Sequence, residues 1–431
     1  MKIVLYIKDI EDKKASLETE RAKLAAVKAE VDKQSSFLEG EVSKTKKYLG
    51  ELQSKIASLT AQQQSIIAGR QAGLNLPKSA YTSQGGCSSD LTNGKEPGFG
   101  SAFGFFSFGV PHRVGLNQYG AKGRAESGKS AKEILEFYFN AEYKEGYDQG
   151  INIHVVGTNE YGQTFDDNWN IEEYLKHVYE MPTNWHIEAL KAQVIAARSY
   201  ALARTGNGSS SICPNQGCQV VKREENSDAW KQAVEQTKGI VLLNGGSPIS
   251  AYFSSTAGGY THESGSDISS RPWTKNTQDG RSGYNSFDDV KNNGYDKDSP
   301  WFYCDWGSRS EYNGTAWMKS EEVADIANAI LLVRADSSMS SHVGQPDKPT
   351  GDTWDQNKLK EELKKKNITP FNTISSVSIS ADLGYGKTNS ISINGDAGSQ
   401  TFDGKEFKDF FNVRAPANIQ IVSQLYNVER K

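Results

Sequence analysis

The sequence lacks any apolar run long enough to cross a membrane, which takes about 20 consecutive apolar residues. Near its start it holds only a short apolar run at residues 3–7. A secretory signal core needs about 7–15 apolar residues. No signal sequence is therefore evident, and we expect either that an export signal was trimmed from this sequence or that the chain is not exported by that route.

The sequence also lacks an excess of charge of one sign. Lys and Arg total 49, Asp and Glu total 53, and the net charge is −4. Proteins that bind nucleic acid usually carry a strongly basic surface. The composition therefore predicts no nucleic-acid partner and only weak long-range steering of charged ligands.

Cysteine is scarce, and the four that occur are Cys87, Cys213, Cys218 and Cys304. A small even number in a chain rich in Gly and Ser favours disulfides and an oxidising compartment. The Cys213/Cys218 pair would close a tight loop, while a zinc site there would need two more ligands and no His follows until after residue 230. We therefore favour a disulfide over zinc for this pair and predict no cofactor. A bridge between Cys87 and Cys304 is the candidate second disulfide, and four unrelated buried thiols are the alternative.

A seven-residue apolar repeat dominates the first seventy residues. Its positions are Ile10, Leu17, Leu24, Val31, Leu38, Leu52, Leu59 and Ile66, with Thr45 as the interruption. A strict heptad keeps one stripe facing a partner as helices supercoil. The pattern predicts an α-helical coiled coil over residues 1–70, formed between chains or by folding back near Gly40 or Gly50. A single amphipathic helix lying on the rest of the chain is the alternative.

The remaining sequence predicts an α+β fold with mixed helices and antiparallel strands. Residues 71–100 are rich in Gly, Ser, Asn and Pro and are typical of a flexible linker. Residues 101–430 then form one domain with a loop-rich insertion around 263–370. The elements predicted in it are helices at 129–139, 171–180, 187–204, 320–333 and 404–411, a hairpin of the runs 240–243 and 249–253, and strands at 376–380, 390–393 and 419–426.

Three sequence segments carry a family resemblance. They are Tyr-Leu-Lys-His-Val-Tyr-Glu-Met-Pro at 174–182 with the helix at 188–200, Cys-Gln-Val at 218–220 with the run 248–261, and His-Arg-Val-Gly-Leu-Asn-Gln-Tyr-Gly-Ala at 112–121. Together they resemble the family of sporulation protein D and the LytB amidase enhancer, over roughly residues 101–430. The resemblance implies a bacterial domain that acts on peptidoglycan in the extracellular space or cell envelope.

The chain departs from the family pattern at two places. The segment at 112–121 usually closes the domain, whereas here it opens it, as in a circular permutation, which costs little when chain termini lie close together. Family members also often carry His directly before the cysteine that matches Cys218, and some bind zinc nearby. Here that position is Gly217.

Glu180 is the catalytic residue that the resemblance implies. A glutamate at the end of the helix predicted over 171–180 would be disfavoured as an anion by the helix dipole. The apolar neighbours Tyr179, Met181 and Trp185 would also desolvate it. Both effects raise a carboxyl pKa, as a general acid near neutrality requires. A solvated glutamate at a helix end is the alternative.

The substrate-binding candidates lie in two segments: His112, Gln118 and Tyr119 in the first, and Ser254, Ser255, Gly258, Gly259 and Tyr260 in the second. A packed turn is the alternative for Gln118 and Tyr119. Glycines after a strand allow a ligand to approach the backbone. The sequence has no Gly-x-Ser-x-Gly elbow, so we interpret the serines as substrate contacts or structural residues and not as nucleophiles.

The resemblance implies a lytic transglycosylase that cleaves peptidoglycan glycan strands with Glu180 as general acid and base. The alternatives are a non-enzymatic wall-binding module and an enhancer of a partner amidase. In both of these alternatives the coiled coil would supply the surface that binds an amidase or another envelope protein. It could equally join copies of this chain into a homo-oligomer.

Overall fold

The computed structural model describes residues 2–74, 76, 78–81, 87, 97–110, 112–265 and 268–431. The chain divides into two compact units, Met1–Gln64 and Ser65–Lys431. The first unit is a single helix, and the second mixes helices with short, mainly antiparallel sheets. The α+β fold with a long N-terminal helix, predicted from the sequence, is confirmed.

The helices of the described chain are α1 (Lys2–Ala72), α2 (Gln118–Glu126), α3 (Ala131–Tyr138), α4 (Ile171–Lys176), α5 (Ile187–Thr205), α6 (Asp228–Gln236), α7 (Phe287–Asn293), α8 (Ser320–Ala335), α9 (Gln356–Lys365) and α10 (Gly404–Arg414). Side-chain caps begin several of them. Ser130 opens α3 with a capping box to Glu133, and the Asp403 carboxylate accepts from the first backbone N–H groups of α10. Such caps supply partners for donors that a helix leaves unpaired at its start.

The strands are β1 (Phe103–Phe108), β2 (Leu116–Asn117), β3 (Glu142–Lys144), β4 (Asn152–Thr158), β5 (Thr164–Asn170), β6 (Ser211–Ile212), β7 (Val241–Asn244), β8 (Ser247–Pro248), β9 (Phe253–Ser254), β10 (Tyr260–Thr261), β11 (Thr277–Gln278), β12 (Tyr303–Asp305), β13 (Ile374–Asp382), β14 (Lys387–Gly395), β15 (Gly398–Asp403) and β16 (Tyr426–Arg430). The sheets of three strands have the orders β12-β1-β16, β13-β14-β15, β3-β7-β8 and β5-β4-β6. β2 pairs with β9 in parallel.

The apolar heptad stripe of α1 is exposed in the single chain. Ile10, Leu17, Leu24, Val31 and Leu38 each expose more than half of their surface. The later heptad residues Leu52 and Leu59 lie outside the side chains that the structure describes. A helix of this length with an unburied apolar repeat fits a coiled coil.

The last turns of α1 belong to the second unit and are fixed there by Arg70. Its guanidinium donates to the backbone carbonyls of Asn412, Val413 and Ala415 at the end of α10. Asn418 in turn donates to the Arg70 carbonyl. A cation at the carboxyl end of a helix is favourable because it pairs with the unsatisfied carbonyls and the helix dipole.

Helix α5 is the centre of the first core. It contacts α2, α3, α4, α6 and β7, and small side chains such as Ala192, Ala196 and Ala197 let these elements approach closely. A buried ion pair ties α4 to α5, since Arg198 donates to both carboxylate oxygens of Glu172. This packing fixes the segment that follows α4.

A second core lies between α8, α10 and the sheet β13-β14-β15, with β1 and β16 at its edge. Phe407 and Phe411 of α10 pack against Phe105 of β1. Helix α8 contributes Val323, Ile326 and Ile330 to this core. Within the predicted loop-rich stretch 263–370, the structure therefore contains α7, α8 and α9.

Most predicted elements agree with the structure to within a few residues, and three do not. The helix predicted over 171–180 ends at Lys176. The apolar run 249–253 is not one strand, because β8 ends at Pro248 and β9 begins at Phe253. The closing strand begins at Tyr426, where it pairs with β1. Among the described residues no helix is both long and apolar enough to span a bilayer.

Candidate active site

Glu180 lies past the end of α4, on a segment that pairs with residues 219–221. Tyr179 N–H donates to the Val220 carbonyl at 2.8 Å, and Val220 N–H donates to Glu180 Oε1 at 2.6 Å. The predicted helix-end position of Glu180 was wrong, because the chain leaves the helix at His177 and becomes extended to pair across the site. The helix dipole therefore does not explain its chemistry.

Burial is the cause of the raised pKa of the Glu180 carboxyl. The Glu180 side chain is almost entirely removed from solvent, and desolvation raises its pKa from 4.5 to about 8. Hydrogen bonds from Val220 N–H and the Ser79 hydroxyl act in the opposite direction, and the Glu160 carboxylate adds a smaller increase. A carboxyl with this pKa is protonated at neutral pH and has a proton to donate.

Gln118 is brought to Glu180 from the start of α2. Its Nε2 donates to the Glu180 carbonyl oxygen at 3.0 Å and to Gln193 Oε1 of α5 at 3.1 Å. Asn117 caps α2 by accepting from Gly120 N–H. β2 holds this segment in place by pairing with β9, with Asn117 opposite Ser254.

The segment 112–121 thus reaches the site although it opens the domain. Leu116 N–H donates to the Tyr252 carbonyl, and Tyr119 N–H donates to the Ser255 carbonyl. These bonds lie on either side of Gln118 and orient its amide toward Glu180. The order of the segments along the chain matters little to the site, because pairing with residues 252–255 fixes the position of the segment 112–121.

Residues 162–243 match the family model described as stage II sporulation protein, SpoIID. Of the curated relatives, the amidase enhancer of Bacillus subtilis (strain 168) is 45% identical over 85 residues, which are 20% of this chain and 12% of that protein. An uncharacterized protein of Brachyspira hyodysenteriae (strain ATCC 49526 / WA1) is 35% identical over 99 residues, which are 21% of this chain and 27% of that protein.

Residues 162–243 of the chain are thus similar to the SpoIID family. The family match contains β5, α4, Glu180 and α5 and ends within β7, whereas the segment 112–121 lies outside it. The matched segments span about an eighth and about a quarter of the two curated relatives. No solved structure shows a significant match to the chain.

Within the segment that matches the SpoIID family, a short disulfide loop positions the hydrogen-bond donor to Glu180. Cys213 and Cys218 are bonded, and Gln219 and Val220 follow directly. Gln219 is buried and accepts from the Tyr174 hydroxyl at 2.8 Å. The disulfides predicted for Cys213–Cys218 and for Cys87–Cys304 are both confirmed. In the described ranges no group of three or more His, Cys, Asp or Glu is arranged to hold a metal ion.

Replacing Cys213 and Cys218 together with Ser should lower stability and slow any reaction of Glu180. Chain entropy alone gives about 2 kcal/mol for so short a loop, and the freed loop would no longer fix Val220 N–H. Thermal unfolding of the parent and of this variant measures the first effect. A Cys213/Cys218 variant with unchanged stability and unchanged Glu180 titration would contradict this role.

Aromatic side chains flank Glu180 in sequence and contact residues of the two site segments. Tyr119 contacts Trp185 with ring centroids 4.7 Å apart, and Lys122 lies over the Trp185 ring. Lys222 lies over the rings of Tyr161 and Tyr179 at 4.1 and 4.4 Å. Half-exposed aromatic faces of this kind suit the apolar faces of sugar rings.

The second predicted binding segment serves the interior of the domain. The carboxylate of buried Asp296 accepts from the backbone N–H groups of Gly258 and Gly259, and the Tyr260 hydroxyl donates to the Leu383 carbonyl. Gly258 has φ +65°, and a Cβ there would meet the Phe108 carbonyl carbon at 2.3 Å. Gly258 thus allows two backbones to pack together, whereas Gly259 packs against the side chains of Tyr284 and Val290. Asp296 was not singled out from the sequence.

The two serines and His112 lie close to the segment that carries Gln118. Ser254 and Ser255 are buried beside β2. His112 is half-buried, and its Nδ1 accepts from Val114 N–H at 3.0 Å. Its ring lies 6.4 Å from that of Tyr252, whose carbonyl accepts from Leu116 N–H.

Gln193 is a site residue that sequence reasoning did not single out. It is fully buried, its Oε1 accepts from Gln118, and its Nε2 has no hydrogen-bond partner among the described residues. An uncompensated buried amide is costly. The sequence did hold one sign of its role, because Gln193 is a polar residue among alanines and apolar residues on the buried side of α5.

Proposed function

We propose that this chain acts on peptidoglycan, and that it is a lytic transglycosylase in which Glu180 is the general acid and base. One observation carries the proposal: Glu180 is buried, has a pKa of about 8, and is held by Val220 N–H at 2.6 Å beside the amide of Gln118. The family and the relative named amidase enhancer support a role in the cell wall.

The reaction begins with proton transfer from Glu180 to the oxygen that bridges two sugars. The bond between that oxygen and the anomeric carbon breaks, and positive charge develops on the ring of the muramic acid unit. The 6-hydroxyl of the same sugar then bonds to the anomeric carbon, and the Glu180 carboxylate takes its proton. Glu180 ends in its starting state, and the product carries an anhydro ring.

This chemistry needs a single carboxyl group, because no water molecule attacks. Ordinary glycosidases use two carboxyl groups on opposite sides of the bond. Val220 N–H stabilises the carboxylate after proton donation, and burial favours its return to the neutral form. The site thus alternates between acid and base without a second titrating partner.

The second candidate is an enhancer of a partner amidase, or a wall-binding module without activity of its own. The name of the Bacillus subtilis relative favours the first of these. The exposed stripe of α1 would then bind the partner. Two disulfides support an extracellular or envelope location.

Purified protein with peptide-free glycan strands separates these functions. Glycan products with anhydro ends support the transglycosylase. Binding without products, together with faster cleavage by an added amidase, supports the enhancer.

The heptad stripe of α1 predicts self-association through the coiled coil. Replacing Leu24, Val31 and Leu38 together with Asp should convert an oligomer into a monomer, because charges are costly at a coiled-coil seam. Light scattering coupled to size exclusion measures the mass. Asp substitution of Thr19, Ala26 and Lys33, which lie on the opposite side of the same helix from the stripe, is the matched control. A parent that is already monomeric would contradict self-association.

A further inference from the structure

A short piece of the predicted linker lies on the candidate active site. Ser79 and Ala80 are buried at 1% and 5% exposure, although both occur in a polar stretch rich in Gly and Ser. Lys78, directly before them, is exposed. Burial of two small residues in such a stretch needs specific partners, and these partners are the residues of the site.

Each residue of this piece pairs with a group around Glu180. The Ser79 hydroxyl hydrogen-bonds the Glu180 carboxyl. Ala80 N–H donates to Gln118 Oε1 at 2.6 Å, and Tyr81 N–H donates to the Glu180 carbonyl at 3.2 Å. The piece therefore forms hydrogen bonds with both the Glu180 carboxyl and the amide oxygen of Gln118.

Tyr81 extends this contact to the aromatic side of the site. Its hydroxyl accepts from Lys222 Nζ at 2.8 Å, and its ring meets Tyr179 edge-on at 5.4 Å. Lys222 lies at 4.9 Å from the Tyr81 ring centroid. Tyr81 thus covers the Lys222 and Tyr179 surface that a sugar would otherwise contact.

The piece is anchored on both sides. Before it, Arg70 and Asn418 fix the end of α1. After it, Cys87 is bonded to Cys304. Two such anchors keep the piece at a high effective concentration beside the site, so that a glycan must compete with it.

We propose that residues 79–81 are an intramolecular strap that occupies the glycan-binding cleft beside Glu180 and holds the chain in a latent form. This inference rests on the function proposed above. The strap imitates the sugar it excludes: the Ser79 hydroxyl stands where a glycosidic oxygen meets the acid, and Ala80 N–H stands where an N-acetyl N–H meets Gln118. Tyr81 covers the neighbouring sugar position.

The test replaces the strap in the full chain by Ser79→Gly, Ala80→Pro and Tyr81→Gly together. Proline removes the N–H that Gln118 accepts, and glycine removes both side-chain contacts. Initial rates are measured on peptide-free glycan strands, and affinity for the same strands is measured in a Glu180→Gln background. Lys78→Ala is the matched control, because Lys78 is exposed beside the strap.

We expect the strap variant to cleave and to bind glycan about tenfold or more better than the parent, because three or more hydrogen bonds no longer compete. Lys78→Ala should match the parent. A synthetic peptide of residues 76–81 should inhibit the strap variant, whereas a scrambled peptide should not. Cys87→Ser/Cys304→Ser, which loosens one anchor, should show an intermediate gain and provides a second route if the triple variant folds poorly.

The outcomes separate the strap from the proposed reaction. Tighter glycan binding without any cleavage would support the strap and overturn the transglycosylase. Equal rates and equal affinities in parent, strap variant and disulfide variant, whether high or absent, would overturn the strap.

Discussion

Glu180→Gln is expected to lower the rate of glycan cleavage by about 10²–10⁴, the usual loss when one general acid is removed. The amide has the same size and can still accept from Val220 N–H, but it has no proton of suitable acidity to donate. Glycan binding should remain close to that of the parent, and the variant should still unfold cooperatively. The measurement is the initial rate of product formation on peptide-free strands, in chains that carry the strap substitutions.

Glu173→Gln is the matched control for this change. Glu173 lies on α4, is partly exposed and pairs with Lys176, so its loss should leave the rate within about twofold, as for an exposed ion pair. Parental turnover by Glu180→Gln would remove Glu180 from the reaction. An equal loss in both variants would point to a general effect on α4.

The stability of the parent relative to Glu180→Gln should fall as the pH rises from about 4.5 to about 8. The pKa of Glu180 is raised in the folded chain to about 8 from 4.5. Between these values the unfolded chain has lost the proton while the folded chain keeps it. The contribution of neutral Glu180 is therefore fully present below pH 4.5 and is lost as the pH rises through the folded-state pKa. The full change is up to about 5 kcal/mol.

Denaturant unfolding of both chains at several pH values between 4 and 9 measures this difference. Subtracting the variant from the parent removes the titration of the other groups that the two chains share. The same subtraction with Glu173→Gln should be nearly flat above pH 5, because the pKa of Glu173 is lowered by its hydrogen bond with Lys176. A flat difference for Glu180 would mean that the carboxyl is hydrated and not a general acid at neutral pH.

Elements with strong local patterns were predictable from the sequence. The apolar spacing of α5 and the alternation of β13 and β14 depend on neighbours within the same element. The capping residue Asp403 likewise signals the start of α10 through contacts a few residues away. These predictions needed no knowledge of how distant segments meet.

Features that depend on distant segments were not predictable in the same way. α4 stops at Lys176 because residues 178–180 pair with 219–221, a contact that no local pattern reveals. β1 is apolar in its phenylalanines, but its partners β12 and β16 lie about two hundred or more residues away. Gly258 and Gly259 suggested ligand approach, whereas in the structure both donate to Asp296 and Gly258 packs against the backbone of Phe108.

The site itself was partly predictable. Glu180 and Gln118 were chosen through family resemblance, and the structure brings them together through the Glu180 carbonyl. A raised pKa was expected from desolvation and from a helix dipole, and the structure supports desolvation alone as its cause. Gln193, Lys222 and Ser79 became site residues only through contacts between segments that are far apart in sequence.

The most direct test of the central claim is the identity of the product formed in water labelled with heavy oxygen. The full chain, with and without the strap substitutions, is incubated with peptide-free glycan strands, and the new ends are analysed by mass spectrometry. The account predicts ends that are lighter than hydrolysis products by one water and carry no label, with none formed by Glu180→Gln. Labelled, hydrated ends, or no new ends from either chain alongside stimulation of an added amidase, would contradict it.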